Sequence, residues 1–210
     1  GDDTWLHQFS LGLAEALDSE KVELIGGDTT QGPLTITVQV FGVVPPNKML
    51  TRQGAKVGDK IYVSGPLGDA AAALTVMNGD WPGAREYREY LLTRFYRPTP
   101  RIDLGLQLLD IASAAIDISD GLLADAAHIG KASGVKLDID TSKVPLSPAL
   151  QTVKDHEQAK QWALTGGDDY ELLFTVPANN ADKVPEGCVC VGEVVEGASD
   201  QGSGWKHFSV

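Results

Sequence analysis

The sequence predicts an α/β protein built as α+β layers, with mixed sheets flanked by helices. Three observations carry that expectation. From Lys60 onward, short β-branched runs alternate with segments of helical period. Glycine or proline marks most junctions between them. A chain of 210 residues with 42% apolar content also has enough material to bury an ordinary core.

The elements follow in order. Trp5 to Leu17 repeats apolar residues at helical intervals and predicts a helix. Val22–Ile25 reads as a strand ending in Gly26-Gly27-Asp28-Thr29-Thr30, and Leu34–Val44 as a second, closed by Pro45-Pro46-Asn47. These pieces form a small α+β unit, set at residues 1–53. A larger unit, 54–210, opens with the strand and glycine turn Lys60–Gly65, followed by an alanine-rich helix from Asp69 to Met77. After a loop over 78–84, helices are expected at about 85–96 and 102–113, because the prolines of Arg97-Pro98-Thr99-Pro100-Arg101 can continue neither. The strand around Asp117, a helix Leu122–Ser133, a strand Val135–Ile139 and a polar helix around Ser147–Leu164 come next. Strands at Tyr170–Val176 and Cys188–Val195 complete the pattern. Cys188 and Cys190 are two apart, as small buried thiols on one strand face would be; they are too few for a zinc site without a nearby histidine.

Charge narrows the function. With 29 acids against 17 bases the formal charge is −12, and no basic run offsets it, so free nucleic acid and anionic membranes are excluded as partners. No segment approaches the roughly 18 consecutive apolar residues of a membrane span, and no charged-then-apolar leader opens the chain. A cytosolic, cytoplasmic protein is the expectation.

Three acidic glycine turns then stand out: Leu24–Thr29, Asp117-Ile118-Ser119-Asp120-Gly121, and Leu164-Thr165-Gly166-Gly167-Asp168-Asp169-Tyr170. Any one of them alone reads most simply as a cap or an Asx turn. Together they suit a nucleotide held through magnesium. Glycine permits close backbone approach, its N–H groups can face phosphate, and aspartate supplies hard oxygen ligands. Asp117 and Ser119 are two apart on a strand and share a face, while Asp120 starts the turn into the helix. Clustered carboxylates repel one another unless a cation neutralises them. Neither a Walker-type loop nor Gly-x-Gly-x-x-Gly occurs, so any nucleotide site is of another kind. The candidate cations for phosphate are Arg52, Arg94, Arg97 and Arg101; the four histidines lack a nucleophile partner and receive no catalytic role.

Gly26–Pro33, Leu50-Thr51-Arg52, Gly54–Asp59, Asp117–Gly121 and Gly166–Leu172, in that order, resemble the thiamine-monophosphate kinase family, as does the closing Gly204-Trp205-Lys206-His207-Phe208. The resemblance implies the two-domain fold shared with aminoimidazole ribonucleotide synthetase, with an N-terminal domain that is incomplete here. It implies transfer of the γ-phosphoryl group of ATP to thiamine monophosphate, giving thiamine diphosphate, by a homodimer. Carried over, Gly27, Asp28, Arg52 and Ser119 contact ATP. Asp28, Asp117 and Asp120 bind Mg2+, with Asp3, in an opening Gly-Asp-Asp like the family's early magnesium motif, as a further ligand. Asp168 and Trp205 contact the thiamine substrate, and Asp28, Asp120 and Arg52 carry the catalysis. The sequence departs from the family at Asp168, where glutamate is usual, and by lacking about a hundred residues ahead of Trp5, as though a segment were missing between Asp3 and Thr4. Direct in-line transfer is the expected mechanism, because no side chain has the setting of a phosphorylated nucleophile. Two other readings stay open: another ATP-dependent synthetase of the same fold, and a noncatalytic nucleotide- or metal-binding module.

Overall fold

The computed structural model describes residues 3–198. It divides into two compact units, residues 1–44 and 45–210. In the first, helix α1 (Asp3–Ser19) carries no buried residue, and Trp5 stacks on Phe9 one turn later with ring centroids 5.3 Å apart. The two strands expected at 22–25 and 34–44 do not form. Among the described residues these runs have no hydrogen-bonded ladder, and Leu24, Ile25, Val38, Val40 and Phe41 are all exposed. A strand needs a neighbour for its N–H and C=O groups, and the described residues supply none.

The second unit is organised by a five-stranded sheet of order β2-β4-β1-β5-β3. Its strands are β1 (Lys60–Val63), β2 (Ala114–Asp117), β3 (Lys136–Ile139), β4 (Leu172–Val176) and β5 (Val189–Val195), and all four pairings are antiparallel. The period-2 alternation expected of strands sorts their side chains onto two faces. Ile61, Val63, Ile116, Leu173, Val191 and Val194 bury one face together with Leu122, Ala126 and Ile129 of α5 (Leu122–Ser133). On the other, Tyr62 stacks on its cross-strand neighbour Phe174 at 5.6 Å, and Leu108 and Val176 join them. The thiols do not share a buried face: Cys190 is exposed and Cys188 half-buried. A bulge sets Ile61 opposite Gly192 and Tyr62 opposite Cys190, which leaves Val191 as the extra residue and shifts the alternation of β5.

A helical layer covers the sheet's end. It comprises α2 (Asp69–Asn78), α3 (Arg88–Tyr96), α6 (Pro148–Gln151) and α7 (His156–Thr165). Ala72, Ala73, Val76, Leu91, Leu150, Val153 and Ala159 form its core. The turn into α2 lies close against α7: a Cβ added at Gly68 would lie 2.6 Å from the backbone nitrogen of Ala163. The single polar helix expected over 147–164 is two, because Ser147 and Asp155 each cap a new start by accepting from Leu150 N–H and Gln158 N–H. Helix α4 (Ile102–Leu108) also stops short of the expected 113, and its last turns tighten through Ile111 and Ala112 onto the Leu108 carbonyl. Among the described residues no helix is long and apolar enough to cross a membrane.

Candidate functional site

Two of the three acidic turns are built side by side. Asp117, the last residue of β2, pairs with Leu172 of β4. Beyond that register the two main chains keep exchanging hydrogen bonds. Ile118 N–H donates to the Glu171 carbonyl at 2.7 Å, Tyr170 N–H to Ile118 at 2.9 Å, and Asp168 N–H to Ser119 at 3.0 Å. Asp117, Ser119, Asp120 and Asp168 therefore belong to one ridge at the sheet end. Gly121 closes the ridge with φ 107°, and a Cβ there would lie 2.9 Å from the backbone carbon of Thr165, so the turn accepts no side chain.

Three buried carboxylates, Asp125, Asp169 and Glu171, brace this ridge, and a fourth, Asp69, shares Arg94 with Glu171. Asp125, one turn into α5 and 1% exposed, accepts the N–H groups of Ser119 and Asp120, each at 3.1 Å. Burial pushes its pKa up to about 6; those two N–H donors oppose the shift and the negative charges of Asp120 and Asp117 add to it. Asp169 accepts from Gly68 N–H at 2.7 Å and Ala70 N–H at 3.3 Å, tying the ridge to the start of α2. Its burial raises the pKa to about 7 against the pull of those donors. Glu171 is fully buried between two arginines. Arg101 Nε donates to it at 2.8 Å and Arg94 Nη2 at 3.1 Å, and Ser64 Oγ donates as well. Asp69 accepts from Tyr90 Oη at 2.8 Å and from Ser147 Oγ, and Arg94 Nε lies 3.7 Å away. Its burial raises its pKa, and burial with that hydrogen bond raises the Tyr90 hydroxyl to about 12. Among the described residues no buried side-chain nitrogen or oxygen lacks a partner.

This network corrects one expectation. Arg94 and Arg101 are not cations waiting for phosphate; both are engaged by Glu171. Arg52 is exposed, and its carbonyl accepts from Ser133 Oγ at 3.1 Å. Gly27 and Asp28 lie exposed in the first unit, where Asp28 Oδ1 accepts from Thr29 N–H at 2.8 Å. Asp3 stands in the first turn of α1, followed directly by Thr4. Trp205, with the whole Gly204–Phe208 motif, lies outside the described residues.

The sequence reading missed Asp69, Asp125, Asp169, Glu171 and Tyr170. A signal existed for three of them. Along Asp168-Asp169-Tyr170-Glu171 the side chains alternate, with Asp169 and Glu171 buried and Asp168 and Tyr170 toward solvent. The two outward residues have positive φ, 65° at Asp168 and 52° at Tyr170, a conformation that costs on the order of 1–3 kcal/mol each outside glycine. The inward carboxylates supply the bonds that hold it.

Asp120, Asp125 and His128 can bring one ligand atom each within 4.8 Å of one another. One oxygen of Asp125 accepts two N–H groups, and the carboxylates of Asp117 and Asp120 are hard oxygen donors of the kind that fits magnesium rather than a softer ion.

The chain is similar to known proteins over most of its length. Residues 56–201 match the family described as AIR synthase related protein, C-terminal domain. The chain is 49% identical over 180 residues to the thiamine-monophosphate kinase of Salmonella typhimurium, covering 85% of this chain and 55% of that protein. It is 37% identical over 213 residues to that of Aquifex aeolicus, covering 98% and 69%. Among solved structures, the thiamine-monophosphate kinase of Stenotrophomonas maltophilia K279a superposes with a TM-score of 0.83 at 35% identity, over 97% of this chain and 69% of that one. The structure of AaThiL complexed with AMPPCP and TMP gives 0.81 at 30% identity, over 99% and 71%. The chain spans about half the length, 55%, of the first curated relatives it matches.

Proposed function

We propose an activity from one premise: the chain belongs to the thiamine-monophosphate kinase family, with its AIR synthase-like α/β fold. The activity is ATP-dependent phosphorylation of thiamine monophosphate to thiamine diphosphate, a step of thiamine diphosphate biosynthesis. The observation that carries it is the ridge, in which Asp117, Ser119 and Asp120 are fastened to Asp168 through main-chain bonds. These bonds support a reading in which a nucleotide side and an acceptor side are held in register, and positioning is most of what phosphoryl transfer asks of a protein.

In this reading Asp117 and Asp120 hold magnesium, and Asp28 and Asp3 have that role within the first unit. Bound there, the ion would neutralise charge on phosphate oxygens that otherwise repel the incoming phosphate. Ser119 orients the nucleotide and Arg52 adds fixed positive charge, while Gly27 is the nucleotide contact within the first unit. Asp168 faces the positively charged acceptor, and Trp205 offers it a flat aromatic surface. A phosphate oxygen of thiamine monophosphate attacks the γ-phosphorus in line, the bond to the β-phosphate oxygen breaks, and ADP leaves. Residues 1–53 belong to the nucleotide- and magnesium-binding part and 54–210 to the layer domain.

The protein acts as a homodimer in the cytoplasm, where ATP is its co-substrate, without nucleic acid or membrane as a partner. The exposed apolar run of Leu34, Ile36, Val38, Val40 and Phe41 supports the dimer, since such a run is a ready template for strand pairing. The test is chromatographic detection of thiamine diphosphate from ATP and thiamine monophosphate, with thiamine and aminoimidazole precursors as alternative acceptors. Product from thiamine monophosphate alone is expected. Turnover of another acceptor, or ATP binding without any product, would replace the reading.

A further inference from the structure

Tyr170 has no place in the assignments above, yet its setting is hard to explain as packing. Its φ of 52° is one that glycine or asparagine would adopt with less strain, and a turn alone would have no need of an aromatic ring. The residue is 41% exposed, so the ring does not fill the core. Its hydroxyl instead donates to Asp168 Oδ1 at 3.1 Å, and its N–H holds Ile118 of the acidic turn at 2.9 Å. Buried Asp169 and Glu171 lock the chain on either side, leaving Asp168 and Tyr170 little choice but to point outward together. Asp117 and Asp120 lie close enough for their charges to act on the Tyr170 hydroxyl.

We propose that Tyr170 is a specificity-determining residue for the acceptor: its ring forms an aromatic wall for a heteroaromatic cation, and its hydroxyl fixes the Asp168 carboxylate toward the same ligand. The inference rests on the kinase reading, whose acceptor carries a permanent positive charge on an aromatic ring. A π face beside a carboxylate suits such a cation, since both attract positive charge while the face tolerates a planar, poorly hydrated ring. The same pair would discriminate against neutral or anionic acceptors of equal size.

The experiment is calorimetric titration of thiamine monophosphate into the full-length protein without ATP or magnesium, for the wild type, Tyr170→Gly and Tyr170→Phe. Glycine removes the ring at a φ it accepts without strain, so the fold is preserved, and thermal melting verifies this. The expected results are a dissociation constant weakened about tenfold by Tyr170→Gly and about threefold by Tyr170→Phe, which keeps the wall but frees Asp168. In turnover assays KM for thiamine monophosphate should rise while KM for ATP stays within about twofold. Unchanged acceptor binding in Tyr170→Gly, or equal rises in both KM values, would overturn the proposal. A wild type that binds thiamine monophosphate but never phosphorylates it would instead overturn the kinase reading and leave the binding comparison standing.

Discussion

The carboxylates at this end of the sheet fall into two populations that differ in burial rather than in residue type. Asp69, Asp125, Asp169 and Glu171 are buried and bonded to N–H groups, hydroxyls and arginines. Asp117, Asp120 and Asp168 stand on the ridge that these buried acids adjoin. A buried acid with fixed donors cannot turn to a ligand, whereas a less buried one beside it is presented by the frame those bonds build. The difference teaches that a chain of charge −12 does not simply tolerate its acids; it uses one set to aim the other.

Substitutions can break this division. The largest effect is expected at Glu171→Gln, which leaves Arg94 and Arg101 without their shared charge. Breaking one partner of a buried pair costs about 3–5 kcal/mol, so chemical denaturation should show a loss of that order. A midpoint like that of the wild type would remove Glu171 from the frame. Asp120→Asn should do the reverse. It is expected to lower turnover by about a hundredfold or more, beyond the 10–100-fold typical of residues behind a metal ligand, with melting nearly unchanged. Equal loss of activity and stability would assign Asp120 to capping.

A subtler effect is the pH dependence of stability through Asp169. Its folded pKa of about 7 lies above the ordinary 3.8, so between those values the folded state keeps a proton that the unfolded state releases. The contribution of this group to stability is therefore full below about pH 4 and is lost as pH rises toward 7. Denaturation of Asp169→Asn across that window should show a shallower fall than the wild type, with a residue from Asp125 and Asp69, whose shifts have the same sign. A slope identical to the wild type would place Asp169 among the ordinary carboxylates.

Much of this was legible in the sequence where the signal is local. The periods of Lys60–Val63, Leu122–Ser133 and Leu172–Val176 reported their elements, because a buried face imposes its own spacing. The acidic turns announced the ridge through glycine beside aspartate, and the ordered motifs carried the family. What stayed hidden depends on contacts distant in sequence. Nothing near Arg94 or Arg101 reveals that Glu171, some seventy residues away, occupies both. Nothing in Leu34–Val44, a good strand by composition, says whether a neighbour is present to pair with it. The break between α6 and α7 was local and was overlooked: Asp155 before a run of helix formers is an N-cap signal.

The most direct test of the division between aiming and aimed acids is electron paramagnetic resonance of manganese(II), as a magnesium substitute, titrated into the full-length wild type, Asp120→Asn and Asp169→Asn proteins with an ATP analogue. The expected result is a bound-metal signal that Asp120→Asn weakens or loses and Asp169→Asn retains. Equal metal affinity in wild type and Asp120→Asn, or loss of the signal in Asp169→Asn while its fold is intact, would contradict it.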